Sequence, residues 1–315
     1  MDSGSHACQE EIFSCRQRNV TGLVVKGKSM ASATVVENGS KKRFYPRVGA
    51  QNGVSGSQKL GVPNTQLQWR PEGYDVSTWK ARVDLAACYQ LLDDMGLNEG
   101  ICNHLTVMVP GTTDRFLVVS YGMHWSEVKA SNLLMVDDFG KVVEGEGEID
   151  ATAFFIHKAL HKAGHVAVLH THMPNATALC CTEDFKLHMC HQNCLRFYDD
   201  IVYDPVFNGL VTDDNEGERI AAAMGKKKVF MHASHGVIVC GPTVSMAFDD
   251  LYYLERAAQV QILAMSTGKP LRIIDDKTAK QFKDTCEEAG LDWANAHFEG
   301  AKRKMLGGPR HIFIQ

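Results

Sequence analysis

Acidic residues are almost missing from one long stretch near the start of this chain. Between Ile12 and Pro71 there are ten lysines and arginines but a single acid, Glu37. The stretch is also rich in Gly, Ser, Asn and Val and has no sustained helical period. It predicts a basic arm over residues 1–75 that is flexible or folds onto a partner subunit. A transit peptide has a similar composition, but three acids among the first eleven residues argue against one.

The chain also lacks the features that mark several classes of protein. No apolar run approaches the roughly 18 residues of a membrane span, and the net charge of −4 gives no reason to expect a nucleic-acid partner. Ten cysteines at irregular spacing do not form a disulfide framework, and the pattern of a signal peptide is missing. We therefore expect a cytoplasmic protein whose cysteines stay reduced.

Regular hydrophobic patterns begin near residue 76 and predict alternating helices and strands. Ser77 is expected to cap a first helix that ends near Asp94, and Asp150 is expected to cap a helix that ends near Ala163. Residues 228–239 are expected to form one strand, and residues 277–289 a final helix before a polar tail. The other predicted elements are strands over 103–109, 116–120, 166–170 and 201–203, a hairpin over 133–143, and helices from 177, over 216–224 and over 244–267. Their order predicts one α/β domain with a central mixed or antiparallel sheet.

The most informative motif is a pair of histidines at the end of a buried strand. His170 and His172 are two residues apart, so their side chains leave the strand on the same face. His235, which is followed at once by Gly236, supplies a third imidazole. Three nitrogens of this kind bind a divalent ion and leave a position for a substrate oxygen, as a catalytic zinc requires. The alternative is a metal-free core whose histidines share no ion.

Several segments together resemble one known family, the class II aldolase/adducin N-terminal domain family. They are Trp-Lys-Ala-Arg-Val-Asp-Leu at 79–85, Gly-Ile-Cys-Asn-His at 100–104, Ser-Tyr-Gly at 120–122, Phe-Ile-His at 155–157, Leu-His-Thr-His at 169–172 and His-Gly at 235–236. The resemblance covers residues 76–275 and leaves 276–315 as a C-terminal helix and tail. It implies a three-layer α/β/α sandwich, a homotetramer, and a divalent ion held by His170, His172 and His235. Zinc is the expected ion, and manganese is the alternative.

The chain departs from the family's sugar-phosphate aldolases at the catalytic glutamate. Depending on register, that position falls on Ala151 or Ala153, and the serine pair that grips phosphate is also absent. The resemblance therefore implies a metal-dependent lyase for a small unphosphorylated hydroxy or oxo acid. Such a lyase would act by decarboxylation or aldol cleavage, with the ion stabilising an enediolate-like intermediate. The alternative is a catalytically inactive, adducin-like binding or scaffold domain.

Other site residues follow from positions in the family. His191 lies where a tyrosine of the neighbouring subunit donates a proton, and an imidazole can do the same work. The expected catalytic residues are His191, Tyr121 and His157, and the expected substrate-binding residues are Asn103, His104, Gly122 and His124. Three alternatives stay open: a polar strand edge around His191, a buried structural role for His157, and a second zinc site. Its ligands would be His188, Cys190, His191 and Cys194.

Overall fold

The centre of the fold is one mixed sheet of eight strands. The structure is a computed structural model, and it describes residues 69–307 and 312–315. The strands are β1 His104–Met108, β2 Arg115–Val118, β3 Leu134–Asp137, β4 Val142–Glu144, β5 Ala167–Thr171, β6 Ile201–Asp204, β7 Val229–His232 and β8 Gly236–Gly241. Their order is β4-β3-β2-β1-β5-β8-β7-β6. Every neighbouring pair is antiparallel except β6 with β7. The predicted arm lies almost wholly outside the described residues.

Helices cover both faces of this sheet. They are α1 Val76–Asp94, α2 Ala151–Lys162, α3 Pro174–Cys180, α4 Asp214–Met224, α5 Val244–Met265 and α6 Asp276–Leu306. Helices α2 and α4 enclose one apolar cluster with the sheet, whereas α1, α3, α5 and α6 enclose a larger one on the opposite face. The predicted three-layer α/β/α sandwich is therefore confirmed. Within the described residues, no helix is long and apolar enough to cross a membrane.

Strand β5 lies in the middle of the sheet and directs the histidines to one face. All five of its residues are buried. Ala167 and Leu169 pack into the larger cluster, and Val168 packs into the cluster beneath α2 and α4. Because side chains alternate along a strand, His170 lies on the face of Val168. The strand pairs with β1 on one side and β8 on the other, so residues from three strands meet at its end.

The helix starts show one correct prediction and one error. Asp150 caps α2 as predicted, and its Oδ1 accepts a hydrogen bond from the Ala153 amide at 2.8 Å. Helix α1 is capped by Asp75 rather than by Ser77. The two oxygens of Asp75 accept from the amides of Ser77 and Thr78 at 2.9 and 3.0 Å. A carboxylate satisfies two of the free amides of the first turn, which one hydroxyl cannot do.

The single strand predicted over residues 228–239 is wrong, because the chain turns back within it. Strands β7 and β8 form a hairpin in which His232 pairs with Gly236. Ser234 adopts a left-handed backbone conformation with φ of 58° in the connecting turn. Such turns are usually marked by Gly or Asn, and their absence here hid the hairpin. His235 consequently lies in the turn itself, just before β8.

The predicted end of the last helix near residue 289 is also wrong, since α6 continues to Leu306. The second half of the helix is stabilised by tertiary packing that its composition does not reveal. Phe298 and Met305 are buried in the larger cluster. Lys302 is 3% exposed, and its Nζ lies 2.8 Å from Oδ1 of Asp84 on α1. The helix is therefore part of the core rather than the start of a polar tail.

This packing makes a stability prediction for α6. Replacing Phe298 by Ala should lower the free energy of unfolding by about 3–5 kcal/mol, because it leaves a cavity in the core. Leu291→Ala on the same helix removes a side chain that is 49% exposed and should cost less than about 1 kcal/mol. Urea denaturation of the full chain measures both. Equal effects of the two variants would show that α6 does not stabilise the domain.

Candidate metal centre

The structure brings the three predicted ligands, His170, His172 and His235, into one cluster. One ligand atom from each of them lies within 4.8 Å of those of the other two. The pairing of β5 with β8 produces this arrangement, because Thr171 is opposite Val237 and the turn before β8 therefore faces the end of β5. Gly236 allows the close approach: a Cβ atom there would lie 2.6 Å from Cδ2 of His172.

Each imidazole uses Nδ1 for a protein contact, which leaves Nε2 as the nitrogen for a ligand. The Nδ1 of His170 donates to the Val237 carbonyl at 3.0 Å. The Nδ1 of His172 bonds to the Glu99 carboxylate, and that of His235 lies 3.1 Å from Nδ1 of His232. The Nε2 of His172 is buried without a partner. An orphaned nitrogen, beside imidazoles oriented by outer partners, is the arrangement that a metal ion fits.

The electrostatic environment keeps two of the three imidazoles, His170 and His235, neutral and ready to bind a cation. Burial, and next the neighbouring imidazoles, lower the pKa of His170 well below its usual value and that of His235 to about 4. A proton placed on either ring would be poorly solvated and would face other imidazoles. At pH 7 both side chains therefore offer a lone pair without first losing a proton.

A cavity of about 800 Å³ opens next to the histidines. Its lining includes the carboxylates of Glu99 and Asp150 and the hydroxyls of Tyr121, Thr152 and Thr177. No lysine or arginine of the described residues lines it. The cavity within one chain is therefore acidic apart from its imidazoles. It lacks the cationic groups that usually bind a phosphate.

Sequence reasoning missed these two carboxylates. Ala151 and Ala153 do occupy the first turn of α2, where aldolases keep their glutamate. Asp150, however, directly precedes them, and it was interpreted only as a helix cap. Glu99 contacts His172 across 73 positions of sequence, a separation at which no local pattern could indicate the pair. For Asp150, its position next to the expected glutamate was a signal that could have indicated a carboxylate at the site.

Asn103 and His104, at the start of β1, have different places. Asn103 is 1% exposed, and its Oδ1 accepts from the His172 amide at 3.1 Å, so it holds the strand end beneath the cluster. His104 lines the cavity, with its ring 5.0 Å from that of His170. Fully buried His157 lies behind it, with Nε2 2.8 Å from Nδ1 of His104. His157 has no place in the cavity lining and is connected to it through His104.

The remaining predicted site residues lie at the rim or away from the cavity. Tyr121 lines it and is 59% exposed, and Gly122 follows with φ of 84°. His124 is outside the lining, caps the short turn Trp125–Glu127, and lies 3.8 Å from Asp93. His191 caps the turn Gln192–Phe197, where its Nδ1 accepts from the Asn193 amide at 3.3 Å. His191 is outside the cavity lining of its own chain.

The alternative second zinc site does not form. Within residues 69–307 and 312–315, the cluster of His170, His172 and His235 is the one group of three or more ligand residues close enough to share an ion. The side chains at 188–194 make other contacts: Nε2 of His188, for example, lies 3.8 Å from Asp184.

The sequence profile of the class II aldolase and adducin N-terminal domain family matches residues 83–262, which is more than half of the chain. The chain belongs to this family. The match includes β1 to β8 and the three clustered histidines, so the predicted resemblance is confirmed.

Individual relatives of this aldolase and adducin family support the assignment. A Pseudomonas aeruginosa protein, named provisionally as a class 2 aldolase, is 34% identical over 196 residues, which are 61% of this chain and 74% of that one. An adducin-related protein from Schizosaccharomyces pombe is 30% identical over 237 residues, 70% of this chain and 69% of that one. The solved structure of an aldolase II superfamily protein from Pseudomonas syringae has a TM-score of 0.72 at 28% identity, covering 77% of this chain and 98% of that chain.

The geometry predicts how metal binding responds to mutation. His170→Ala, His172→Ala and His235→Ala should each remove the ion from the purified full-length protein without unfolding it. Glu99→Gln should weaken binding by about 10–100-fold, because it alters the partner that orients His172. Elemental analysis and zinc titration measure the metal, and circular dichroism checks the fold. His188→Ala, outside the cluster, is the control. Full metal in all three alanine variants would place the ion elsewhere.

Proposed function

We propose that this chain is a metal-dependent carbon–carbon lyase that acts on a small unphosphorylated hydroxy or oxo acid. The observation that carries the proposal is the convergence of three imidazoles, each with Nε2 outside its protein contacts, on an acidic cavity. A divalent ion held there supplies a Lewis acid that draws electron density from oxygen atoms of the substrate. Zinc fits three imidazole ligands, and manganese is the alternative.

The acid part of the proposal rests on the charge of the cavity. Because no lysine or arginine of the described residues lines it, a phosphate dianion would find too few donors. A single carboxylate with an adjacent oxygen is smaller and can be neutralised at the imidazole cluster itself. The alanines at 151 and 153 remove the base that aldol cleavage of sugar phosphates requires. Decarboxylation needs no proton abstraction from carbon, so it suits this site best.

Proton transfer falls to the groups that reach the cavity. Asp150 lies directly before the position of the lost glutamate and lines the cavity. Tyr121 stands at the rim, and His191 of a neighbouring subunit is the further candidate that the family position indicates. Glu99 is engaged by His172 and so has a positioning role. His157 acts on the site only through its hydrogen bond to His104.

The second candidate function is a binding or scaffold domain of the adducin type. The similarity to the adducin-related protein of Schizosaccharomyces pombe favours it. Against it stands the intact cluster: a domain used only for binding has no need of three imidazoles with free Nε2 atoms and an oriented outer shell. We therefore favour the lyase.

A substrate panel tests the proposal. Zinc- or manganese-loaded protein should turn over at least one hydroxy or oxo acid and should not cleave fuculose, rhamnulose or ribulose phosphates. Carbon dioxide release and aldehyde formation separate decarboxylation from aldol cleavage. Cleavage of a sugar phosphate at an enzymatic rate, with no acid consumed, would overturn our interpretation of the alanines. Absence of both metal and turnover would favour the adducin-type role.

A matched pair of variants sharpens this test. Asp150→Asn should retain the helix cap, because Asn caps as well as Asp, yet it removes a proton carrier and should lower turnover by about 10²–10⁴-fold. Asp213→Asn is the control, since Asp213 caps α4 in the same way but lies outside the cavity. Unchanged turnover in Asp150→Asn would assign the proton transfer to another group.

We also propose that a second copy of the chain covers the site, in a homotetramer. The cavity rim carries apolar side chains that are unusually exposed, among them Ile101 at 41%, Phe207 at 52% and Leu210 at 85%. Clustered exposed hydrophobic residues around a polar site are typical of surfaces that a protein partner buries. A neighbouring subunit would exclude water from the cavity and could bring His191 to it.

The oligomer can be tested at the rim. The full chain should have four times the 34.8 kDa mass of one subunit by light scattering, and Leu210→Glu should dissociate it by burying a charge at the contact. Leu291→Glu, on exposed α6 surface, is the matched control and should leave the mass unchanged. An active, monodisperse monomer at nanomolar concentration would contradict the proposal.

We also propose the cytoplasmic location that the sequence predicts. The described cysteines have free thiols, and a reducing compartment keeps thiols in this form.

A further inference from the structure

A continuous chain of hydrogen bonds runs from the cavity through the core beneath α2. Nδ1 of His104 lies 2.8 Å from Nε2 of His157. Nδ1 of His157 lies 2.6 Å from Oγ1 of Thr106, which is 2.8 Å from Nε2 of His161. Nδ1 of His161 lies 2.8 Å from the backbone carbonyl of His165. All four side chains are buried, so this chain is isolated from water except at the cavity.

The last acceptor determines the direction of every bond in the chain. A carbonyl oxygen can only accept, so His161 carries its hydrogen on Nδ1 and, when neutral, presents a bare Nε2 to Thr106. The hydroxyl of Thr106 must then donate to His161 and accept from Nδ1 of His157. His157 in turn has a bare Nε2, which accepts the Nδ1 hydrogen of His104. All three rings are consequently in the Nδ1–H tautomer.

This direction depends on His161 being neutral. A cationic His161 would donate from both nitrogens and would reverse each bond as far as His104. Burial lowers the pKa of the His161 imidazole to about 4. At neutral pH the carbonyl of His165 therefore sets one tautomer for each ring.

At the other end, the chain of hydrogen bonds determines which nitrogen of His104 is available to a ligand. Its Nδ1 is directed at buried His157, which leaves the Nε2 edge for the cavity that His104 lines. Within the described residues Nε2 has no hydrogen-bond partner, and in this tautomer it carries a lone pair and no hydrogen. We propose that His104 is a specificity-determining acceptor that selects a substrate hydroxyl over an oxo group at this position. The proposal rests on the proposed function and narrows its substrate class to acids that bear a hydroxyl at this position, with or without an oxo group elsewhere that can take up the electrons released by decarboxylation.

The tautomers can be observed without any substrate. Long-range ¹H–¹⁵N spectra of the zinc-loaded full chain, with ¹⁵N-labelled histidine, distinguish a protonated from a bare ring nitrogen. We expect His104, His157 and His161 all to be protonated at Nδ1 and bare at Nε2 at pH 7. Assignment follows from the loss of one signal in each of His104→Gln, His157→Gln and His161→Gln. A hydrogen on Nε2 of His104 would overturn the proposal.

Binding of a matched pair of acids tests the consequence. Lactate and pyruvate differ only in the hydroxyl or oxo group beside the carboxylate, and their binding to zinc-loaded protein can be measured by calorimetry. In Thr106→Val, the Nδ1 hydrogen of His157 loses its acceptor. We expect His157 then to carry its hydrogen on Nε2 and to donate it to Nδ1 of His104, so that the hydrogen of His104 moves to Nε2. The ratio of lactate to pyruvate affinity should fall by about tenfold relative to the natural protein. Intrinsic preferences of the ion cancel in this comparison.

The control and the outcomes separate this inference from the proposed function. Thr106→Ser keeps the hydroxyl and should keep the affinity ratio. An equal ratio in the natural protein and Thr106→Val would overturn the role of His104, even if acids are turned over. A ratio that falls as expected, in a protein that turns over no acid, would support His104 as the acceptor and contradict the lyase. Should Thr106→Val fail to fold, the nitrogen spectra of the natural protein decide.

Discussion

The antiparallel pairing of β5 with its two neighbours is the constraint on which the site depends. On one side it places the hairpin turn that holds His235 against His172, and on the other it places His104 opposite His170. Strand β5 is buried on both faces, so a slip of one residue in its register would move His170 to the face of the larger apolar cluster. The core therefore holds the imidazoles in place, and the site needs little rigidity of its own.

Burial of many imidazoles in one layer has an electrostatic consequence. Each neutral ring needs a donor or acceptor at both nitrogens, and the structure supplies these from a carbonyl, a carboxylate, a hydroxyl and other imidazoles. The Nε2 atoms left for a ligand are the exceptions, and that of His172 is both buried and unpaired. A buried unpaired nitrogen costs about 1–3 kcal/mol, which a ligand at that point would recover. Stability and metal binding are thus coupled through the same atom.

The charges around the cavity explain how this member of the family differs from its sugar-phosphate aldolases. The base is lost from α2, no cationic side chain of the described residues lines the cavity, and two carboxylates enter from other positions. Asp150 combines two roles, because one oxygen caps α2 while its residue lines the cavity. A helix start next to the site suits the proton transfer that we propose for Asp150, since the cap holds the side chain in one orientation.

Much of this protein could be predicted from sequence because its signals are local. Four local signals were sufficient for the fold class, most element positions and the candidate ligands. They are the 2-residue spacing of His170 and His172, the apolar run of β5, the Asp150 cap and the alternation of elements.

Long-range contacts were decisive elsewhere. The hairpin at Ser234 lacks the usual turn residues, and α6 extends to Leu306 because Phe298 and Lys302 pack on distant elements. Two further features exist only when separated strands and helices meet. One is the contact of Glu99 with His172, and the other is the direction of the hydrogen bonds from His165 to His104. Sequence alone thus determined which chemical groups are available, whereas tertiary structure decided which atoms of those groups remain free, since hydrogen bonds between distant residues consume the others.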